Sequence, residues 1–140
     1  METVVTQVSS AFVADSELLR ELEKRSKPVA AGPDKVLFRE GDAPVGVYIL
    51  RKGMARLTNG SDSEAKFSIR LGAGSLLGLP AVIGTKPYTL TAEALDGADI
   101  SLVPCEAFLE LMHTEPSLAF RVLQVLAEEV RFARESVWQV

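Results

Sequence analysis

The residues best placed to do chemistry lie between Leu71 and Leu95, LGAGSLLGLPAVIGTKPYTLTAEAL, where Gly72, Gly74 and Gly78 lead into Leu79-Pro80-Ala81. Glycines at this density allow tight turns and close backbone approach. Pro80 suits the first turn of a short helix, where its missing N–H goes unused. A helix N-terminus behind such a loop offers backbone donors to an anion such as a phosphate. The candidate ligand contacts are therefore Gly78, Leu79, Pro80 and Ala81. A dinucleotide fingerprint is a poor description of the run. It follows short strands instead of opening a βαβ unit, and no acidic residue is placed for a ribose.

Other chemistries fail on arithmetic. His113 is the one histidine, so a metal centre of two or three histidines and a carboxylate cannot be assembled. His113 reads instead as a charge near a helix C-terminus. Cys105 stands alone, which rules out an intrachain disulfide, a zinc ribbon or a four-cysteine iron–sulfur cluster; it reads as a small buried hydrophobe. Glu40-Gly41-Asp42 reads as a turn and not as a metal site. With 15 Lys and Arg against 19 Asp and Glu, the net charge of −4 argues against nucleic-acid binding by this chain. No basic N-terminal region or membrane-length apolar run is visible, so the expected setting is cytoplasmic, with no membrane partner.

The elements that must hold these residues can be read from period and turn chemistry. At 140 residues and 47% hydrophobic, the chain fits one domain with a single core. Residues 1–14 form an N-terminal arm, loose or briefly extended, and residues 15–140 the domain. Asp15 or Ser16 caps a helix whose Leu18, Leu19 and Leu22 share a face, ending at Lys27-Pro28. Short strands follow at 35–38, 46–52, 54–59, 65–71, 89–94 and 98–103. Lys52-Gly53, Asn59-Gly60 and Asp96-Gly97 mark reversals. Two helices close the chain, Glu106 to His113 and Glu115-Pro116 to about Trp138. Along the second, Ala119, Leu123, Leu126, Val130, Ala133 and Val137 make the stripe of a two-helix seam, leaving Val122 and Val125 to face the strands. The alternative is that the whole helix packs on its own domain.

Phe38-Arg39-Glu40-Gly41-Asp42-Ala43-Pro44, then Val47-Tyr48-Ile49-Leu50 and Lys52-Gly53, resembles the cyclic nucleotide-binding domain of the Crp/Fnr regulator superfamily. The likeness continues through Gly72, Gly74 and Gly78 to Ala94-Leu95 and into the long helix. It implies a mainly β fold with flanking α: a jelly roll (double-stranded β-helix) with one helix before it and two after, the last a long dimerisation helix. It also implies a homodimer, a regulatory and non-enzymatic role, and a DNA-reading domain that would begin about where this chain stops.

In nucleotide-binding members of that family a Glu follows the second cassette glycine and an Arg lies further on. Here those positions look like Leu79 and Tyr88, so the resemblance also places Tyr88, its neighbour Thr89 and Lys86 among the candidate ligand contacts. Losing one partner of a charge-assisted pair costs on the order of 2 to 5 kcal/mol, roughly 30-fold to several thousand-fold in affinity. Weak or absent cAMP binding and an unknown small-molecule effector are therefore expected, with no cofactor. A ligand-free dimerisation domain and nucleotide binding through unusual contacts stand as alternatives. Restoring Glu at 79 with Arg at 88 is expected to raise nucleotide affinity.

Overall fold

The computed structural model describes residues 5–30, 35–59, 67–95 and 97–136. Two sheets face each other. One has five strands in the order β1 (Val5–Ser9), β6 (Phe67–Leu71), β5 (Ala55–Thr58), β8 (Thr91–Ala94) and β3 (Lys35–Phe38). The other has four, β2 (Lys27–Val29), β9 (Asp99–Pro104), β4 (Gly46–Lys52) and β7 (Leu76–Leu77). Pairing is antiparallel except where β1 lies parallel to β6. Helices α1 (Ser16–Glu23), α2 (Leu79–Gly84), α3 (Cys105–Thr114) and α4 (Pro116–Ser136) complete the jelly roll expected from the sequence.

Strand β4 shows how the layers are specified. All of Gly46–Leu50 is buried, and because successive side chains point to opposite faces the strand feeds two cores. Tyr48 and Leu50 join the core between the sheets, with Phe38, Leu57, Ile69 and Leu77. Val47 and Ile49 join a second core against the helices, with Leu18, Leu22, Phe108, Leu118 and Val122. Gly46 opens the strand because it crosses β9 closely: a Cβ there would collide with the Val103 carbonyl and stand 2.8 Å from a Leu102 methyl.

The structure departs from the sequence reading at the end of the first helix and in the strand that follows it, while the briefly extended alternative for the arm is the one formed. Asp15 does cap α1, accepting a hydrogen bond from Leu18 N–H at 2.9 Å, but the helix ends at Glu23. Lys27–Val29 then pairs with Leu102–Ile100 as a strand, which fits Pro28, since an edge strand tolerates the missing donor. Val5–Ser9 forms an edge strand with a fixed register on β6. The Asn59-Gly60 reversal falls on residue 60, outside the described residues, although the antiparallel β5–β6 pairing beside it is seen.

Helix α4, about 31 Å long at 1.5 Å per residue, spans both cores. In its first half Leu118, Val122 and Val125 are buried in the helix-side core, so the expectation for Val122 and Val125 holds. Arg121 ties the same half to the start of α1, reaching Asp15 and Glu17 at 3.1 Å each. In its second half the inward face is Glu129, Phe132 and Ala133. The outward face carries Phe120, Leu123 and Val130, 61%, 57% and 51% exposed.

Candidate functional site

A cavity of about 150 Å³ lies between α2, the inner face of the five-stranded sheet and the second half of α4. Gly78, Pro80 and Ala81 line it from the cassette, Tyr88, Thr89 and Leu90 from the loop after α2. Phe38, Leu57 and Ile69 form its floor; Phe12, Glu129 and Phe132 close it. The local sequence explains the cassette's shape. Gly74 and Gly78 have φ of 94° and 96°, a region that strongly favours glycine. A Cβ at Gly78 would also meet the Tyr88 ring at 2.9 Å.

Of the seven residues expected at the site, Gly78, Pro80, Ala81, Tyr88 and Thr89 come together here. Leu79 and Lys86 do not. Leu79 is 0% exposed and belongs to the helix-side core. Helix periodicity is the reason: Leu79 and Val82, three apart, share one face of α2 and pack into that core, whereas Ala81 turns to the cavity. Lys86 is exposed, and its backbone N–H closes the helix on Ala81 O at 3.1 Å.

Tyr88 touches the cavity only with its ring, which is stacked on Phe38 at a centroid distance of 3.8 Å. Its hydroxyl is spent elsewhere. It accepts from Val45 N–H at 3.0 Å and Gly46 N–H at 3.3 Å and lies 2.9 Å from Gly46 O, to which it donates. Burial pushes its pKa above the ordinary value. The backbone is fixed too: Tyr88 N–H donates to Asp42 O at 2.9 Å, and Gly41 N–H to Tyr88 O at 2.8 Å. Asp42 Oδ2 accepts from Arg39 N–H at 3.1 Å, and Thr91 Oγ1 from Glu40 N–H at 3.0 Å. The Glu40-Gly41-Asp42 turn is therefore a clamp for the Tyr88 loop.

Sequence reasoning missed Glu129. Its Oε2 is shielded from solvent and has no hydrogen-bond partner among the described residues. Burial pushes its carboxyl up to about 8. Glu128, Arg131 and Glu135, charged residues of α4 flanking it in sequence, line an adjoining groove with Val8–Ala11. Among the described lining residues none is Lys, Arg or His, and Tyr88 is the one other titratable group. Glu128-Glu129 reads in sequence as a solvated pair. The available signal was Phe132, three residues on, an aromatic sharing the face of Glu129.

The remaining expected positions divide. Leu123 and Val130 are exposed; Leu126 is half-buried against the helix-side core; Ala133 faces the cavity; Val137 lies outside the described residues. The exposed apolar line runs Phe120, Leu123, Ala127, Val130, spaced three and four apart as a seam requires. It keeps Leu123 and Val130 and has Phe120 and Ala127 in place of Ala119 and Leu126, which are partly buried. Cys105 is partly buried, burial raises its thiol pKa, and its Sγ lies 3.5 Å from Pro44 O. No described helix is long and apolar enough to cross a membrane.

Comparison with known proteins agrees with this architecture. Residues 28–115 match the sequence profile of the cyclic nucleotide-binding domain. The transcriptional activator protein Anr of Pseudomonas protegens is 30% identical over 123 residues, covering 87% of this chain and 49% of that protein. The chain thus spans about half the length of such curated relatives. The Thermus thermophilus catabolite activator protein superposes with a TM-score of 0.75 at 20% identity, covering 88% of this chain and 58% of that one. The sensor domain of the transcriptional regulator DNR from Pseudomonas aeruginosa superposes at 0.64 and 19% identity, covering 90% and 83%. The profile match contains the clamp turn, the cassette and the Tyr88 loop, and the chain belongs to the cyclic nucleotide-binding domain family, in its Crp/Fnr branch.

Proposed function

We propose that this chain is a regulatory ligand-sensing module, not an enzyme, that it does not bind cAMP tightly, and that it dimerises through the outer face of α4. The observation carrying the reading is the cavity wall. Its described residues supply no cationic side chain for a phosphate, Leu79 faces the core, and the Tyr88 hydroxyl is tied to Gly46. The Glu129 carboxyl, neutral when protonated and negative when ionised, adds no positive charge for an anion. A cyclic nucleotide does not fit this donor set. The volume of about 150 Å³ is also small beside the roughly 300 to 1,000 Å³ of drug-sized ligand sites. Calorimetric titration with cAMP and cGMP is expected to show no micromolar binding, and a micromolar isotherm with either nucleotide would overturn this part of the reading.

Dimerisation follows from the exposed line Phe120, Leu123, Ala127 and Val130 on a 21-residue helix. Contiguous apolar surface of this kind marks an interaction site, and the opposite face of the helix is already used by the domain. Ligand contact at Glu129, Phe132 and Ala133 would bear on the helix that forms the seam, so a bound effector has a direct route to the dimer. Leu123→Glu with Val130→Glu is expected to give a folded monomer in sedimentation equilibrium where the unaltered chain gives a dimer. A monomeric unaltered chain, or a double variant that still dimerises, removes α4 as the seam.

One observation favours a second reading, a closed dimerisation module without ligand. The cavity is small, and Phe38, Tyr88, Phe12 and Phe132 fill much of the space around it. Cytoplasmic location and DNA binding through a further domain are proposed on the same footing as the regulatory role, from the curated relatives that are transcriptional activators.

A further inference from the structure

Cavities, the ionisable clusters, Cys105, the groove beside β1 and the outer face of α4 each offer a feature, but one combines unexplained chemistry with a built enclosure. Glu129 ends in an oxygen that is shielded from solvent and without a hydrogen-bond partner among the described residues, inside an otherwise apolar, aromatic cavity. Buried polar atoms are paired in the great majority of cases, and an exception asks for an explanation.

The surrounding groups narrow what would pair with it. Four aromatic rings line the cavity: Phe38 stacked on Tyr88 at 3.8 Å, and Phe12 edge-on to Phe132 at 6.2 Å. A cation is attracted to aromatic faces as well as to a carboxylate. An anion would meet no positive side chain among the described lining residues and would face Glu129 itself. A purely apolar ligand would leave Oε2 unpaired. The volume of about 150 Å³ matches cavities that take a single benzene ring.

We propose that the cavity takes a compact aromatic cation, a one-ring amine or amidine whose N–H groups pair with the Glu129 carboxylate while its ring packs among Phe12, Phe38, Tyr88 and Phe132. This rests on the reading of the cavity as a ligand site and names the ligand class for it. The proton balance is explicit. With the carboxyl titrating at about 8, Glu129 is mostly protonated at pH 7, so pairing with a cation drives its proton into solvent. Among the described residues the other ionisable groups beside the site are engaged elsewhere: the Tyr88 hydroxyl is held by Gly46, and Glu128, Arg131 and Glu135 line the neighbouring groove. Binding therefore releases close to one proton at pH 7. Affinity tightens roughly tenfold per pH unit up to about pH 8.

The test uses the 140-residue chain and benzamidine as probe, with benzamide as its neutral isostere and benzoate as the anion. Calorimetry in buffers of different ionisation enthalpy reads both affinity and proton release. NMR signals of the four lining aromatic rings report occupancy. Expected are benzamidine at least ~30-fold tighter than benzamide at pH 8, proton release at pH 7, a similar loss on Glu129→Gln, and no benzoate binding. The proton release is measured on the unaltered chain, so the proposal stands or falls even if the variant does not fold. If benzamide or benzoate binds as well as benzamidine, or benzamidine binds without a proton, the cation proposal fails and the ligand-site reading survives. If no ring perturbs the four aromatic signals at any pH, both fail.

Discussion

Glu129→Gln is expected to stabilise the protein by about 4 kcal/mol at pH 7.5 and by almost nothing at pH 4.5, read as the difference in urea unfolding free energy between the variant and the unaltered chain. The sign follows from which state holds the proton. In the unfolded chain the carboxyl titrates at its ordinary 4.5; in the folded chain burial raises it to about 8. Below 4.5 both states are protonated and the group contributes no difference. As pH rises from 4.5, the unfolded state loses the proton first and the folded state is penalised by 1.36 kcal/mol per pH unit. By pH 8, where the folded carboxyl is half ionised, the penalty is about 4 kcal/mol, a large share of the roughly 5 to 15 kcal/mol of a typical domain. Glutamine keeps the shape and carries no titrating proton. Asp15, held below its usual range because bonds from Leu18 and Arg121 outweigh its desolvation, acts at the acid end. It is shared by both proteins and cancels in the difference. A gap that stays constant from pH 4.5 to 7.5 would mean that water reaches Glu129 and that α4 does not seal the cavity.

That cost gives the site its logic. A carboxyl maintained against several kcal/mol of burial is a place where local structure and stability disagree, and such disagreements concentrate at functional positions. A cation that paired with Glu129 would recover part of the penalty and tighten the second half of α4 onto the sheet. The exposed Leu123 and Val130 of the proposed seam lie on the same helix, so the energy released at one face is available to the geometry of the other.

Much of the scaffold was legible because its signals are local. The Glu40-Gly41-Asp42 turn, the strand at β4 and the Pro80 helix start are set by residue type and short spacing, and each stands where the sequence places it. What was not legible depends on which face a residue shows. Val5–Ser9 is a strand because β6 offers an open edge in parallel register, a partner more than 60 positions away that no local period announces. Lys27–Val29 reads as a helix end because Pro28 stops helices, yet it is the register with Leu102–Ile100 that decides its structure. The cassette shows the same limit. The resemblance locates Leu79 and Tyr88 at the two positions where charge is expected, but only the fold reveals that Leu79 turns into the helix-side core and that Tyr88 is bolted to Gly46. Glu129 was invisible for the converse reason: charged residues on a helix are usually solvated, and its burial is made by Phe12 and the sheet, far away in sequence.

The second large effect concerns Leu79, and it reverses an expectation drawn from the resemblance. Restoring Glu at 79 would recreate a ribose contact if that side chain faced the cavity, and affinity would rise. The structure puts it among Val47, Ile49, Leu76, Val82 and Phe108, where a carboxylate has no partner. Exchange of a fully buried Leu forfeits about 1.5 to 3 kcal/mol of apolar burial. Holding a carboxyl protonated at pH 7, well above an ordinary 4.5, costs roughly 3.4 kcal/mol more at 1.36 kcal/mol per pH unit. Leu79→Glu is therefore expected to lower stability by about 5 kcal/mol at pH 7, enough to unfold a marginal domain, and to recover more than half of that loss toward pH 4.5, where the carboxyl is neutral in both states. Pro80→Glu is the matched control. It places the same charge one residue away on an exposed position that touches the cavity, and its loss should stay within about 1 kcal/mol, since surface exchanges rarely cost more. Urea unfolding of both variants at pH 4.5 and 7 separates the cases. If Leu79→Glu proves as stable as the unaltered chain at pH 7, residue 79 faces the ligand space after all, and the nucleotide cassette is intact in geometry. If it unfolds while Pro80→Glu does not, the position has been taken over by the core. Tyr88 then completes the account, because the residue at the second position where the resemblance expects charge holds β4 through Gly46, and exchange for Arg would release that strand.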